Sequence, residues 1–265
     1  MLLTVDIGNT NIVLGLFDGA REGAGNDAAL FRDWRMRTDA RMTADEMALT
    51  FRGLLGEYAN KLTGIAALST VPAVLRELRV MVDRYWPQLP RVIVEPGVRT
   101  GVPLLCDNPR EIGADRIVNT LAAYTLYGGP AIVVDFGTST NFDVVSARGE
   151  FLGGALAPGI EISIDALATR AAQLVKVQLV RPRSVIGKNT VEALQSGLLY
   201  GFAGQVDGLV RRIATELAPG AERDVAVIAT GGLAPLLIAE SHTITHHAPH
   251  LTLRGLRMVF ARNIT

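Results

Sequence analysis

Two stretches of this chain share one local pattern, and that repetition constrains the fold more than any other feature. Leu2 to Val5 is an apolar run closed by Asp6; Gly8, Asn9, Thr10 and Asn11 follow, then a second apolar run from Ile12 to Phe17. Ala131 to Val134 is an apolar run closed by Asp135; Gly137, Thr138, Ser139, Thr140 and Asn141 follow, then a run through Phe142, Val144 and Val145. Each reads strand, Asp-Gly-hydroxyl turn, strand. The turns are too short for a crossover connection, so each pair of strands is a hairpin. A supersecondary unit that recurs once in 265 residues predicts two similar lobes.

The turn chemistry suits an anion. Glycines let backbone N–H groups approach a ligand, and hydroxyls add donors that do not repel negative charge. The aspartate at the strand end can orient a metal ion or a water. One such hairpin is compatible with an ordinary polar turn; two in register read as a clamp around the phosphates of a nucleotide with a cation between them.

Helices are expected to follow the first hairpin. Thr43 and Glu46 have the spacing of a capping box, and Met47, Phe51, Leu54, Leu55 and Tyr58 form a core stripe at helical spacing. Ile65 to Leu68 and Arg91 to Val94 read as further strands. Strands alternating with helices give an α/β fold.

Other segments invite chemistry. Asn108 to Asn119 reads NPREIGADRIVN, and a helical pattern continues to Gly128-Gly129-Pro130, so Gly113 to Arg116 lie near a helix start. An aspartate there stabilises the helix dipole or serves as a base beside an arginine that binds an anionic substrate. Gly153 to Gly159, GGALAPG, reads as a tight loop between a strand and a helix. Asn189 and Glu192 mark another helix start, with Thr190 placed to meet a polar substrate. The helix beyond carries Gly197, Gly201, Gly204 and Gly208, a surface for close packing against another helix. Val225 to Ala229 is a strand running into Thr230-Gly231-Gly232, where a nucleotide base or ribose can rest on backbone. His242, His246, His247 and His250 have spacing that would hold a metal only on a regular helix, which Pro249 opposes.

Composition narrows the class. Twenty-six basic residues balance 26 acidic ones, which argues against nucleic acid as a partner. Cys106 is the only cysteine, so no intramolecular disulfide forms and a reducing, cytoplasmic setting is expected. The N-terminus lacks a secretory pattern, and the apolar stretch Ile117 to Val134 is interrupted by Asn119 and by Gly128-Gly129-Pro130. It reads as helix, turn and strand rather than a membrane span.

Taken together, the paired hairpins and the late Thr-Gly-Gly resemble the superfamily of acetate kinase, sugar kinases, heat-shock chaperones and actin. Four motifs, DIGNTN at Asp6–Asn11, GADR at Gly113–Arg116, DFGT at Asp135–Thr138 and IGKNT at Ile186–Thr190, resemble type III pantothenate kinase along essentially the whole chain. The resemblance implies two actin-like, ribonuclease H-like lobes with mixed sheets and a nucleotide in the cleft between them, with residues 1–115 as the first lobe and 116–265 as the second. It implies ATP-dependent phosphorylation of pantothenate to 4′-phosphopantothenate, the first step of coenzyme A biosynthesis. Asp6, Ile7, Gly8, Asn9, Thr10, Asn11, Ile12 and Val13 match the ATP phosphate-binding loop, and Thr138 an ATP contact. Asp115 matches the catalytic base. Gly113, Ala114, Asp115, Arg116 and Thr190 match the pantothenate contacts. Asp135 matches the ligand of a monovalent cation, potassium or ammonium, used beside Mg2+. The family is a cytoplasmic homodimer. The rival expectation is a regulatory protein that keeps the fold without turnover; retention of Asp6, Asp115, Arg116 and Asp135 argues against it.

Overall fold

The computed structural model describes residues 1–18, 29–170 and 177–264. The chain divides into two compact units, one of Met1–Val102, Asp107–Leu126 and Leu251–Thr265, the other of Pro103–Cys106 and Tyr127–His250.

The first unit is built on a five-stranded sheet. Strands β1 (Leu2–Ile7), β2 (Asn11–Phe17) and β3 (Leu30–Arg37) form an antiparallel meander, and β4 (Gly64–Ser69) and β5 (Arg91–Ile93) join in parallel, giving the order β3-β2-β1-β4-β5. Helices α1 (Ala44–Leu55) and α2 (Pro72–Tyr85) lie in the crossovers. Alternation along the strands decides which side chains meet them. Leu3, Val5 and Ile7 of β1, with Ile12, Leu14 and Leu16 of β2, pack with Met47, Phe51 and Leu55 of α1 and Val74, Leu78 and Met81 of α2. Fully burying each such side chain contributes roughly 1.5–3 kcal/mol. The capping box at Thr43 forms as its spacing predicts: Thr43 Oγ1 accepts from the Glu46 N–H, and Glu46 accepts from the Thr43 N–H. The core stripe also holds, although Tyr58 falls in a 3-10 turn after α1.

On the opposite sheet face lies the last helix, α7 (Leu251–Asn263). Gly15 admits it: a Cβ there would sit 2.8 Å from Leu253 Cδ1 and 2.7 Å from Thr4 Oγ1. Helix α3 (Ala114–Tyr127) is tied to α7 by Thr252, whose hydroxyl donates to buried Asn119 at 2.9 Å, and by the approach of Gly255 to Val118.

The second unit repeats the first sheet strand for strand. Strands β6 (Ala131–Phe136), β7 (Ser139–Val145) and β8 (Phe151–Pro158) form the meander, and β9 (Ala226–Thr230) and β10 (His246–His247) complete the order β8-β7-β6-β9-β10. Ile132, Val134, Phe136 and Phe142 pack with residues of α4 (Ile160–Arg170), α5 (Thr190–Leu217) and α6 (Ala234–Ile238). This is the repeated, mixed-sheet α/β architecture expected from the paired hairpins.

Three details differ from expectation. A third strand, β3, stands between the first hairpin and the helices. Gly153 to Pro158 is not a loop but most of β8, paired to β7 through a register shift beside Val145; only Gly159 turns the chain into α4. The division between the units also departs from a single cut after residue 115, because that point falls inside α3 and the C-terminal α7 belongs with the first unit. The glycines Gly197, Gly201, Gly204 and Gly208 recur along α5, and a Cβ at any of them would meet no described atom beyond the neighbouring backbone of its own helix within 4 Å. Among the described residues, no helix is long and apolar enough to cross a membrane.

Candidate active site

In the first hairpin Ile7 pairs with Ile12, and residues 8–11 form the tip. The Gly8 N–H donates to the Asn11 carbonyl at 3.0 Å. Neighbouring segments donate to carbonyls at and beside the tip. Thr38 donates from its hydroxyl to Gly8 O at 2.7 Å and from its N–H to Thr10 O at 3.0 Å. Thr70 donates from its N–H to Ile7 O at 2.9 Å. Carbonyls tied up in this way present less negative charge to an incoming anion, while Asn9 and Thr10 remain exposed at the tip.

Asp6 ends β1 half-buried, and Asp115 stands half-buried in the first turn of α3. Asp115 is close enough for its charge to act on Asp6. Burial first, then the negative charge of Asp115, push the Asp6 carboxyl up to about 7, against the opposing pull of the Arg35 guanidinium. Burial likewise raises the Asp115 carboxyl, while the Arg116 N–H, the Arg116 charge and its own N–H work the other way. The Gly113 of GADR has a steric reason: a Cβ there would collide with Asp115 Oδ1. The helix begins as the sequence predicts, with the Arg116 N–H donating to Gly113 O at 3.1 Å.

The second hairpin is tighter. Phe136 pairs with Thr140, and the Gly137 N–H donates to Ser139 O at 3.0 Å. Half-buried Asp135 pairs with Asn141 on one side and Thr230 on the other, at the strand end occupied by Asp6 in the first unit. Gly231, with φ of 91°, lies against it: a Cβ would come within 2.5 Å of Phe136 O and 2.7 Å of Asp135 Oδ1. Exposed Thr138 sits at the turn, its carbonyl accepting from the Gly159 N–H at 3.1 Å. Exposed Thr190 opens α5, whose first turn is capped by Asn189 accepting from the Glu192 N–H at 2.9 Å.

The sequence-predicted residues therefore fall into two sets. Asp6 to Val13 and Gly113 to Arg116 belong to the first unit, where Asp6 and Asp115 meet electrostatically; Asp135, Thr138 and Thr190 belong to the second. Two residues escaped the sequence reading. Arg35 acts on Asp6 from β3, and its only sequence signal is the alternation of Trp34 and Met36 with Arg35 and Arg37. Asp207 of α5 is buried and accepts from the Ser241 hydroxyl at 2.6 Å, the His242 N–H at 3.0 Å and the Thr243 hydroxyl at 2.9 Å, pinning the segment before β10. The histidines do not gather on a helix: His246 and His247 form β10, and the His246 ring lies 4.8 Å from that of Tyr127. Among the described residues, no group of three or more His, Cys, Asp or Glu could hold a metal ion.

The profile of the type III pantothenate kinase family matches residues 2–212, a span that contains every residue of both sets. The chain belongs to the type III pantothenate kinase family. It is 71% identical to the type III pantothenate kinase of Saccharopolyspora erythraea over 264 residues, covering 99% of each chain. It is 66% identical to that of Salinispora arenicola over 265 residues, covering 100% of each. Among solved structures, it resembles the activator of 2-hydroxyisocaproyl-CoA dehydratase from Clostridium difficile with bound ADPNP, at a TM-score of 0.55 and 11% identity, over 99% of this chain and 95% of that one. It also resembles the inorganic polyphosphate/ATP-glucomannokinase of an Arthrobacter strain, at a TM-score of 0.52 and 14% identity, over 98% of each chain. At such identities these two likenesses speak to the fold alone. Family membership makes this chain a kinase that phosphorylates pantothenate in coenzyme A biosynthesis, and ATP use follows from its being a kinase.

Proposed function

We propose that the first unit carries both the phosphate loop and the base of pantothenate phosphorylation. The observation that carries this reading is the nearness of Asp115 to Asp6: both are half-buried carboxyls, and the charge of Asp115 adds to burial in raising the Asp6 carboxyl. Asp6 to Val13 hold the ATP phosphates through backbone N–H groups and the hydroxyl of Thr10. Gly113 to Arg116 hold pantothenate, with Arg116 paired to its carboxylate, and Thr190 is a further pantothenate contact. Asp115 orients the primary hydroxyl of pantothenate and accepts its proton as the oxygen bonds to the γ-phosphorus and the bond to ADP breaks. Phosphoryl transfer of this kind is mainly positioning and charge stabilisation, so a late proton acceptor suffices.

The residues fit the cations the family reading implies. Two carboxyls whose proton affinity burial raises would gain from a divalent cation, which Asp6 would help to hold. Bound Mg2+ would neutralise charge on the phosphate oxygens. In the second unit Asp135 Oδ1 and Phe136 O converge on Gly231, an oxygen set suited to a hard monovalent cation, potassium or ammonium. Thr138 contacts ATP from the same turn. The open glycine stripe of α5 is the close-packing surface of a homodimer, and the enzyme works in the cytoplasm.

The test is ATP- and Mg2+-dependent formation of 4′-phosphopantothenate in potassium and in a large inert cation, with wild type and Asp115→Asn. Wild type is expected to make product only in potassium, or in ammonium as its substitute. Asp115→Asn is expected to bind ATP but not turn over. Near-normal kcat in Asp115→Asn would remove the base assignment, and full activity without a small monovalent cation would remove the role of Asp135.

A further inference from the structure

We propose that Arg35 is a phosphate-binding residue of this kinase, reaching over the first hairpin to the terminal phosphates of ATP. The proposal rests on reading Asp6 to Val13 as the phosphate loop.

Strand register places the arginine. Asp6 pairs with Val13, and Val13 pairs with Arg35, so the three stand in one row across β1, β2 and β3. Directly paired residues project from the same face of a sheet. The next row, Ile7, Ile12 and Met36, projects from the opposite face and packs into the core beneath α1 and α2. Arg35 therefore emerges on the face that carries Asp6. With strands about 4.8 Å apart, its backbone lies about 10 Å from that of Asp6. A side chain of arginine's length can cover much of that interval. The guanidinium is felt at Asp6, where it favours the ionised carboxylate. The residue is exposed, and no described group holds it in a hydrogen bond or ion pair.

The duplicated sheet provides an internal comparison. The matching row of the second unit is Asp135, Asn141 and Leu156. Where the first unit has an arginine, the second has an exposed leucine. The cation is thus not a general requirement of the repeated fold; it accompanies the unit in which a second carboxylate, Asp115, acts on the aspartate beside the loop. That unit has an electrostatic need for it. A triphosphate brought beside Asp6 and Asp115 meets negative charge, and the chain contains no G-x-x-x-x-G-K-[ST] loop whose lysine would offset it. An arginine fork held at the edge of the loop supplies that charge and can bind two phosphate oxygens at once.

The experiment compares Arg35→Gln, Arg35→Lys, Arg37→Gln and Thr10→Ala, each with a melting curve, steady-state kinetics and direct binding of MgATP and adenosine. Arg35→Gln is expected to weaken MgATP binding about 30-fold, the size of one lost charge-assisted contact. Its adenosine affinity, KM for pantothenate and melting temperature should match wild type. Arg35→Lys should recover part of the loss. Arg37→Gln, paired with Asn11 further along the same face, should lose clearly less MgATP affinity than Arg35→Gln, because Arg35 rather than Arg37 is the guanidinium felt at Asp6. Unchanged MgATP affinity in Arg35→Gln overturns the proposal, as do equal losses in Arg35→Gln and Arg37→Gln. Thr10→Ala separates the two levels of inference. If it weakens MgATP while Arg35→Gln does not, the loop stands and the arginine falls; if neither variant weakens MgATP, the loop reading falls as well.

Discussion

Replacing Asp6 by asparagine should stabilise the ligand-free protein while destroying its activity. In the folded chain the Asp6 carboxyl is pushed up to about 7 from an ordinary 3.8, first by burial and then by Asp115. A raised carboxyl pKa means that the folded state binds the proton more tightly than the unfolded state. Its contribution is therefore most favourable below the unfolded value and is lost as pH rises through 4 to 7. A shift of roughly 3 units at 1.36 kcal/mol each amounts to about 4 kcal/mol at pH 8, and partial solvent access reduces this to about 2–4 kcal/mol. Asparagine keeps the shape and carries no charge, so it escapes the penalty. In magnesium-free buffer containing a chelator, Asp6→Asn is expected to melt about 5–15 °C above wild type at pH 8. The gap should shrink toward zero at pH 4, and added magnesium should narrow it at pH 8 by stabilising wild type alone. An Asp6→Asn protein no more stable than wild type at pH 8, or a gap that ignores pH between 4 and 8, would refute the electrostatic account of the site.

Two further outcomes follow from the geometry. Asp207→Ala leaves the Ser241 hydroxyl, the His242 N–H and the Thr243 N–H and hydroxyl without their acceptor, so denaturant unfolding should show a loss of about 3 kcal/mol. Burial alone would raise the Asp207 carboxyl, but the donors from Ser241, His242 and Thr243 hold it below its ordinary value. The stability they confer is present at neutral pH and is lost as pH falls through 4, so wild type and Asp207→Asn should converge in acid. Gly113→Ala pushes against Asp115 Oδ1 without entering the core. It should lower kcat at least about tenfold through misplacement of the base, with the melting temperature unchanged within about 2 °C, as stopped-time product assays and a thermal melt would report.

Much of the fold was legible because it is written in local chemistry. The two Asp-Gly-hydroxyl hairpins, the Thr43–Glu46 capping box and the Asn189 cap all form where their spacing places them. Strand β3 was missed because it is an edge strand: only Trp34 and Met36 face the core, and its other face carries Asp33, Arg35 and Arg37, which dilute the apolar signal. Strand β8 was missed for the converse reason. Gly153 and Gly154 punctuate it like a loop, yet they serve a register shift in an edge strand, where glycine is tolerated. The membership of α7 in the first unit was not legible at all. It depends on contacts made after the chain has passed through the second unit, and a single hydrogen bond from Thr252 to Asn119 carries no local pattern.

The two copies of the hairpin show how one backbone is turned to two chemistries by its neighbours. Asp6 and Asp135 occupy the same strand end and the same position in the same strand order. Asp6 is half-buried beside a second carboxylate brought by α3 and a guanidinium brought by β3, so burial and charge together set its behaviour. Asp135 meets a glycine and a carbonyl, so its oxygen is held close to backbone. On the proposed function the first environment would take a divalent cation beside its carboxylates and phosphate oxygens beside its arginine, and the second would take a monovalent ion held by a few fixed oxygens. Neither difference resides in the hairpin residues themselves. It follows that exchanging the two turn sequences would not exchange their roles, whereas moving Arg35 or Gly231 would alter the site to which each belongs.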